Sequence, residues 1–216
     1  VIGGETDSGC VDDVWSWDGA GWTRHFPSST STLPSPRKGA GSFVDAVTNE
    51  LRLFGGGCGT EFSDELWQFE LPVFARYESY GQGCAGSLGM PTLSVDPATS
   101  PVIGTTLDLI YDNVPGSFIP AIGAYGYSRT SYLGIPLPLD LGPAGLPGCP
   151  LLHSAEVSIA IGAPNGTGTV TWSIQLPNNP SLLAGELFFQ CLHLELPGFP
   201  TWAAMSNGVA VRIGDQ

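Results

Sequence analysis

Polar and apolar residues alternate with a period of two through many short runs of this chain. Thr106, Asp108 and Ile110 interleave with Leu107, Leu109 and Tyr111, and Thr169, Thr171 and Ser173 interleave with Val170, Trp172 and Ile174. Successive side chains of a strand point to opposite faces, so this pattern predicts half-buried β-strands. Strands are predicted at 91–96, 105–112, 120–128, 153–161, 167–175, 186–195 and 207–214, with turn signals at Asn165-Gly166 and Asn207-Gly208. Strands at such short spacing predict a β-sandwich of jelly-roll or immunoglobulin-like kind.

The first third has its own pattern. Between Gly39 and Glu70 two β-type runs, 41–47 and 50–54, are joined at Thr48-Asn49, and Gly55-Gly56 closes the second. A polar loop leads to a third run, 64–70, which carries Leu66, Trp67 and Phe69. Such spacing predicts an antiparallel meander. The stretch also repeats. Val1-Ile2-Gly3-Gly4 matches Leu53-Phe54-Gly55-Gly56, and Asp12-Asp13-Val14-Trp15-Ser16-Trp17-Asp18 matches Asp64-Glu65-Leu66-Trp67-Gln68-Phe69-Glu70. Trp22 matches Phe74 and Arg24 matches Arg76, always at an offset of 52.

A period of about 50 residues is that of a propeller blade. In detail, residues 1–80 resemble the kelch family. The shared features are an apolar strand ending in Gly-Gly, an Asp-hydrophobic-Trp-x-aromatic strand, an aromatic opening the next strand, and Pro36-Arg37-Lys38-Gly39-Ala40 at a blade start. The resemblance implies about 1.75 propeller blades, against the ~4–8 that a closed propeller needs. Residues 1–26 would be three strands of a first, incomplete blade, and 27–36 a crossing loop. The second blade would be completed by Phe74–Tyr77 as its outer strand.

The chain enters at a blade's second strand. It is therefore expected to be the C-terminal piece of a longer precursor. Alternatively, neighbouring subunits supply the missing strands along an open edge at Val1, Ile2, Gly3 and Gly4. The kelch-like domain is placed at 1–76 and the sandwich at 77–216. So short a junction predicts that the blades pack on the sandwich.

Composition agrees with an all-β chain. There are 30 Gly and 19 Pro, only 12% of residues are charged, and no long helical periodicity occurs. A hydrophobic share of 42% argues against disorder. No apolar run reaches the ~18 residues that would span a bilayer. The net charge is −13, with Lys38 the single lysine. Such a surface repels phosphate, which argues against nucleic acid and anionic membranes as partners.

Cysteines bear on the compartment. Cys10 and Cys58 lie in corresponding loops of the repeat, and Cys84 and Cys149 in glycine-flanked loops. Loop cysteines in such a chain predict an oxidising setting. Four cysteines allow three connectivities. Proximity favours Cys10–Cys58 and Cys84–Cys149, with Cys191 free.

Residues 77–216 resemble a C-terminal domain of secreted proteins from planctomycete-like and myxobacteria-like bacteria. The motifs are Gly81-Gln82-Gly83-Cys84-Ala85-Gly86, Gly134 to Leu141, Pro147-Gly148-Cys149, Leu183 to Gln190, and Ser206-Asn207-Gly208 with a terminal Ile213-Gly214. Cys191 departs from that pattern. The resemblance implies a secreted or cell-surface setting, a natural C-terminus, and no known chemistry.

Few residues suggest a reaction. Phe189, Cys191, His193 and Glu195 share one strand face, and Cys191 and His193 with His153 and Met205 could ligate copper, but the spacing of Cys191, His193 and Met205 is wrong for the usual loop. Asp12, Asp13 and Asp18, repeated as Asp64, Glu65 and Glu70, could be glycosidase acids or calcium ligands. Their recurrence with the repeat favours a structural role instead. Ser16 to Trp22 resembles a sialidase Asp-box with its glycine one place late. No Gly-x-Ser-x-Gly frames a nucleophile. Asn165-Gly166-Thr167 is a formal glycosylation sequon, read here as a turn. Tyr77, Tyr80, Tyr125, Tyr127, Tyr132 and Trp202 could stack on sugar rings, with Arg129 near.

The sequence therefore predicts a non-catalytic secreted or cell-surface protein, structural or adhesive, with no cofactor and no metal. Its sharpest form is the subunit of a fibre or layer, with itself, other surface proteins or glycans as partners. The alternatives are a carbohydrate-binding module, with Tyr125, Tyr127, Tyr132 and Trp202 as contacts, and the C-terminal fragment of a larger secreted kelch-propeller enzyme.

Overall fold

The computed structural model describes residues 1–17, 21–25, 34–45, 50–71, 73–116, 120–195 and 201–215. Asp18, Gly19 and Ala20, the Thr48-Asn49 junction and most of the expected crossing loop lie outside these, as does the side chain of Glu70. The fold is all-β, and among the described residues none of its sheets closes on itself. The chain forms two compact units, Val1–Leu71 and Pro72–Gln216.

In the first unit, β1 (Ile2–Thr6), β2 (Gly9–Trp17) and β3 (Trp22–His25) form a three-stranded antiparallel sheet in that order. A second sheet joins β4 (Gly41–Asp45), β5 (Glu50–Phe54) and β8 (Leu66–Glu70), and β6 (Gly57–Cys58) and β7 (Glu61–Phe62) make a small hairpin between. A Cys10–Cys58 disulfide links β2 to that hairpin. The paired glycines take left-handed backbone, with φ of 56° at Gly3 inside β1 and 69° at its counterpart Gly55 just past β5. A Cβ on Gly3 would also sit 2.5 Å from the Arg37 carbonyl oxygen.

The same contact changes the expected open edge. Gly4 donates its N–H to the Arg37 carbonyl at 2.9 Å, so main chain already occupies Gly3 and Gly4. Ile2 pairs with Val14, and Val1 exchanges hydrogen bonds with Trp15. Strand addition along Val1–Gly4 is therefore blocked at the glycine end.

The expected outer strand of the second repeat also differs. Val73 to Ala75 are in no strand, and Arg76–Tyr80 is β9 of the second unit. Its five residues pair in full register with β21 (Gly208–Arg212), and the Tyr80 ring sits over Gly208 and edge-on to Phe188. That ladder engages one edge of β9, and each small sheet of the first unit has three strands among the described residues.

The other strands of the second unit are β10 (Thr92–Val95), β11 (Thr106–Asp112), β12 (Ala121–Gly126), β13 (Ser131–Tyr132), β14 (Ile135–Pro136), β15 (Leu139–Asp140), β16 (Pro150–Leu151), β17 (Val157–Gly162), β18 (Val170–Gln175), β19 (Glu186–Leu194) and β20 (Ala203–Met205). One sheet runs β10-β11-β18. A larger one runs β17-β12-β19-β21-β9, with β20 also on β19. Both feed one core. Leu107, Leu109 and Tyr111 from β11 and Val170 and Trp172 from β18 join Phe189, Cys191, Val209 and Val211 of the larger sheet. The alternation read in the sequence has become the division between this core and solvent.

A smaller cluster of Cys84, Leu146, Cys149, Ala203 and Met205 surrounds the Cys84–Cys149 disulfide. The glycine-rich loop makes it possible. A Cβ on Gly83 would lie 1.8 Å from the Met205 carbonyl oxygen. Gly83→Ala is expected to destabilise the protein by ~1–3 kcal/mol through this overpacking. Gly166→Ala, which meets nothing within 4 Å, should change stability by less than about 0.5 kcal/mol. Denaturant titration of both variants checks the pair.

Candidate functional site

The acids of the repeat have local work. Asp13 accepts the indole N–H of Trp15 at 2.8 Å, and Glu65, its counterpart, accepts that of Trp67 at 3.0 Å. Glu65 also receives Arg37 Nη2 at 2.7 Å and Ser63 Oγ at 3.1 Å. The Arg37 bond above all, then those of Trp67 and Ser63, hold the Glu65 carboxyl below its usual range. Arg37 is only 2% exposed. Its Nη1 donates to the Gly55 carbonyl at 3.0 Å and its Nε to the Ser35 carbonyl at 2.9 Å. The sequence contained Arg37 within a motif, but nothing in its pattern marked that arginine for burial.

Equivalent positions of the two small sheets differ in exposure in a reciprocal way. Val14 is 7% exposed, whereas its counterpart Leu66 is 66% exposed. Leu53 is 1% exposed and Phe69 half-buried on one face of the second sheet, whereas Trp17, the counterpart of Phe69, is 52% exposed. The pairing register puts Val1, Trp15, Trp17, Trp22 and Arg24 on one face of the first sheet. On the second sheet it puts Phe43, Phe54 and Leu66 on the face opposite Leu53. Trp17 and Trp22 are exposed with ring centroids 5.4 Å apart, and Phe43, Phe54 and Leu66 are all exposed. Among the described residues each sheet thus has one more covered and one barer apolar face, although Val44, on the Leu53 face, is itself exposed.

The second unit has an open groove of about 420 Å³ beside Tyr125 and Tyr127. Leu187, Phe189 and Ile213 supply apolar lining, and Gln175 and Glu186 supply polar groups. Tyr125 lies on β12, but Tyr127 lies past its end, its N–H held by Ser154 Oγ at 3.1 Å. The two rings are 6.4 Å apart at 88°, so they form no flat stacking platform. The other two candidate aromatics are elsewhere. Tyr132 reaches the Ala155 carbonyl at 3.5 Å, and Trp202 lies against Gly145.

On β19, His193 is a link in a buried chain. The Tyr111 hydroxyl lies 2.7 Å from His193 Nδ1, and His193 Nε2 lies 3.1 Å from Glu195 Oε1. Ser87 N–H donates to the same carboxylate oxygen at 2.9 Å. Burial opposes ionisation of Glu195, but Ser87 and His193 outweigh it and its pKa is lowered. Burial lowers the pKa of His193 against the pull of Glu195, and lowers that of His153 as well. Cys191 packs as a buried thiol whose pKa burial raises. Among the described residues no three or more His, Cys, Asp or Glu gather as a metal-ligand set. Nor is any described helix long and apolar enough to cross a membrane.

Two predictions follow from this chemistry. A histidine whose folded pKa is lowered binds its proton more readily when unfolded, so stability falls as pH drops below the unfolded value near 6.5. The melting temperature should hold between pH 8 and about 6.5 and then decline, with a shallower decline in His193→Gln; a flat profile to pH 5 would contradict the assignment. Arg37→Met should cost ~2–4 kcal/mol by stranding its buried carbonyl partners, and Arg37→Lys should recover little, since one ammonium cannot reproduce the fork. Tryptophan fluorescence during denaturation reads this directly.

The chain was compared with models of known protein families, with characterised proteins and with solved structures, and it matches none of them.

Proposed function

We propose that this chain is a non-catalytic, secreted or cell-surface structural protein that associates with further copies of itself through its first unit. In this reading the two small sheets are kelch-like blades, and the second unit is a β-sandwich that carries them. The carrying observation is the reciprocal exposure of equivalent positions. In this reading the covered face of the first sheet, with Val14, packs toward the covered face of the second, with Leu53. Their bare counterparts are chemically the same two faces. The tryptophan face of one copy can therefore lie on the Phe43, Phe54 and Leu66 face of the next. Each contact would continue the sheet-on-sheet interface inside the unit.

Such a contact is heterologous and propagates into a ring or a filament. Three strands of five residues present a face of roughly 14 Å by 17 Å. That is small for a stable interface, so association is weak per contact and depends on concentration. The two disulfides are consistent with an oxidising, extracellular setting. The groove at Tyr125 and Tyr127 supports a second reading, carbohydrate binding, but its perpendicular rings favour it less.

Sedimentation of the 216-residue chain without reductant, from micromolar to millimolar concentration, tests the proposal. The mass should rise with concentration. Leu66→Asp and Trp17→Asp should each be monomeric alone, yet give a dimer when mixed, because each keeps the face that the other has lost. A wild-type monomer at every concentration would sink self-association. Assembly that survives both substitutions would sink the assignment of these faces.

A further inference from the structure

The second unit has no lysine and three arginines, Arg76, Arg129 and Arg212, against nine carboxylate side chains. All three arginines line one open pocket of about 260 Å³ on the larger sheet. Arg76 on β9 is directly opposite Arg212 on β21. Like charges opposed across strands are destabilising unless something bridges them. Arg76 and Arg212 have no ion-pair partner among the described residues. Glu186, the cross-strand neighbour of Arg212, forms no ion pair with it, and Glu78 is engaged by Arg129 at 2.7 Å. Arg212 Nε is buried with no hydrogen-bond partner. Unpaired buried donors of this kind are costly unless an acceptor arrives.

Glu78 and Glu186 also line the pocket, so three guanidinium groups stand there against two carboxylates. Arg129 is held over the rings of Tyr80 and Phe188, at 5.7 and 5.8 Å. Ala210, on the same sheet face as Arg76 and Arg212, leaves space beside the arginines. A chain of net charge −13 repels anions generally, so gathering every arginine of one unit around a single pocket runs against its own field.

We propose that this pocket binds an oxyanion, a carboxylate or sulfate group carried on a sugar, with Arg76 and Arg212 as the fork that receives it. Guanidinium donors match the paired oxygens of such groups. The volume is larger than a bare oxyanion needs, which leaves room for a carrier the size of a sugar ring. The inference is independent of self-association.

The test follows arginine Nε–Hε signals by NMR while sodium glucuronate, sodium sulfate or sodium acetate replaces sodium chloride at constant ionic strength. Saturable shifts of Arg212 and Arg76 are expected, strongest with glucuronate. Arg212→Gln should weaken binding about tenfold or more. Arg76→Glu should abolish binding while raising the melting temperature, because it turns the opposed like charges into an attractive pair; that rise shows that the variant is folded. Equal shifts with all three anions retain the oxyanion site and discard the sugar. Shifts that do not saturate, or that persist unchanged in both variants, overturn the proposal.

Discussion

Arg37 is where the two small sheets of the first unit are tied together. Its main chain belongs to the first sheet's surroundings, since its N–H donates to the Val11 carbonyl at 3.1 Å and its carbonyl accepts from Gly4 at 2.9 Å. Its side chain belongs to the second, through Gly55 and Glu65. A guanidinium taken almost wholly from water is costly unless its donors are used, and these are. The neighbouring contacts read as consequences. Gly3 must lack a side chain because the Arg37 carbonyl lies where a Cβ would be. Glu65 is held by Ser63 and Trp67 in the position that meets the fork.

The second unit is organised differently, by burial of apolar side chains rather than by one polar knot. That difference explains what could be read beforehand. In β11 and β18 every other residue faces the shared core, so the period of two was visible without knowing any partner. β9 was misplaced for the opposite reason. Arg76 stands 52 residues after Arg24, and the offset suggested the same role, but a strand's partner is set by whichever ladder is free to receive it. Offsets report ancestry of pattern, and hydrogen bonds report neighbours.

The candidate sites were legible to different depths. Asp13 and Glu65 recur with the repeat, and each serves the tryptophan two places on, which period alone could suggest. Tyr125 and Tyr127 look alike in sequence, yet the end of β12 falls between them and turns their rings apart. The arginine pocket had no local signature, because Arg76, Arg129 and Arg212 come from distant parts of the chain. The Tyr111–His193–Glu195 chain was hidden for the same reason, with Tyr111 supplied by the other sheet.

The disulfide between Cys10 and Cys58 has a mechanical meaning. It spans 48 residues, which would otherwise release roughly 160 Å of slack if the first unit were pulled open. With the bond intact, tension along the backbone passes across the two sulfurs and the chain between them carries no load. β3, β4 and β5, which lie between the two cysteines, are shielded from that tension. A protein built this way resists stretching before it resists unfolding, and a reducing environment would convert the same molecule from a tether into a spring.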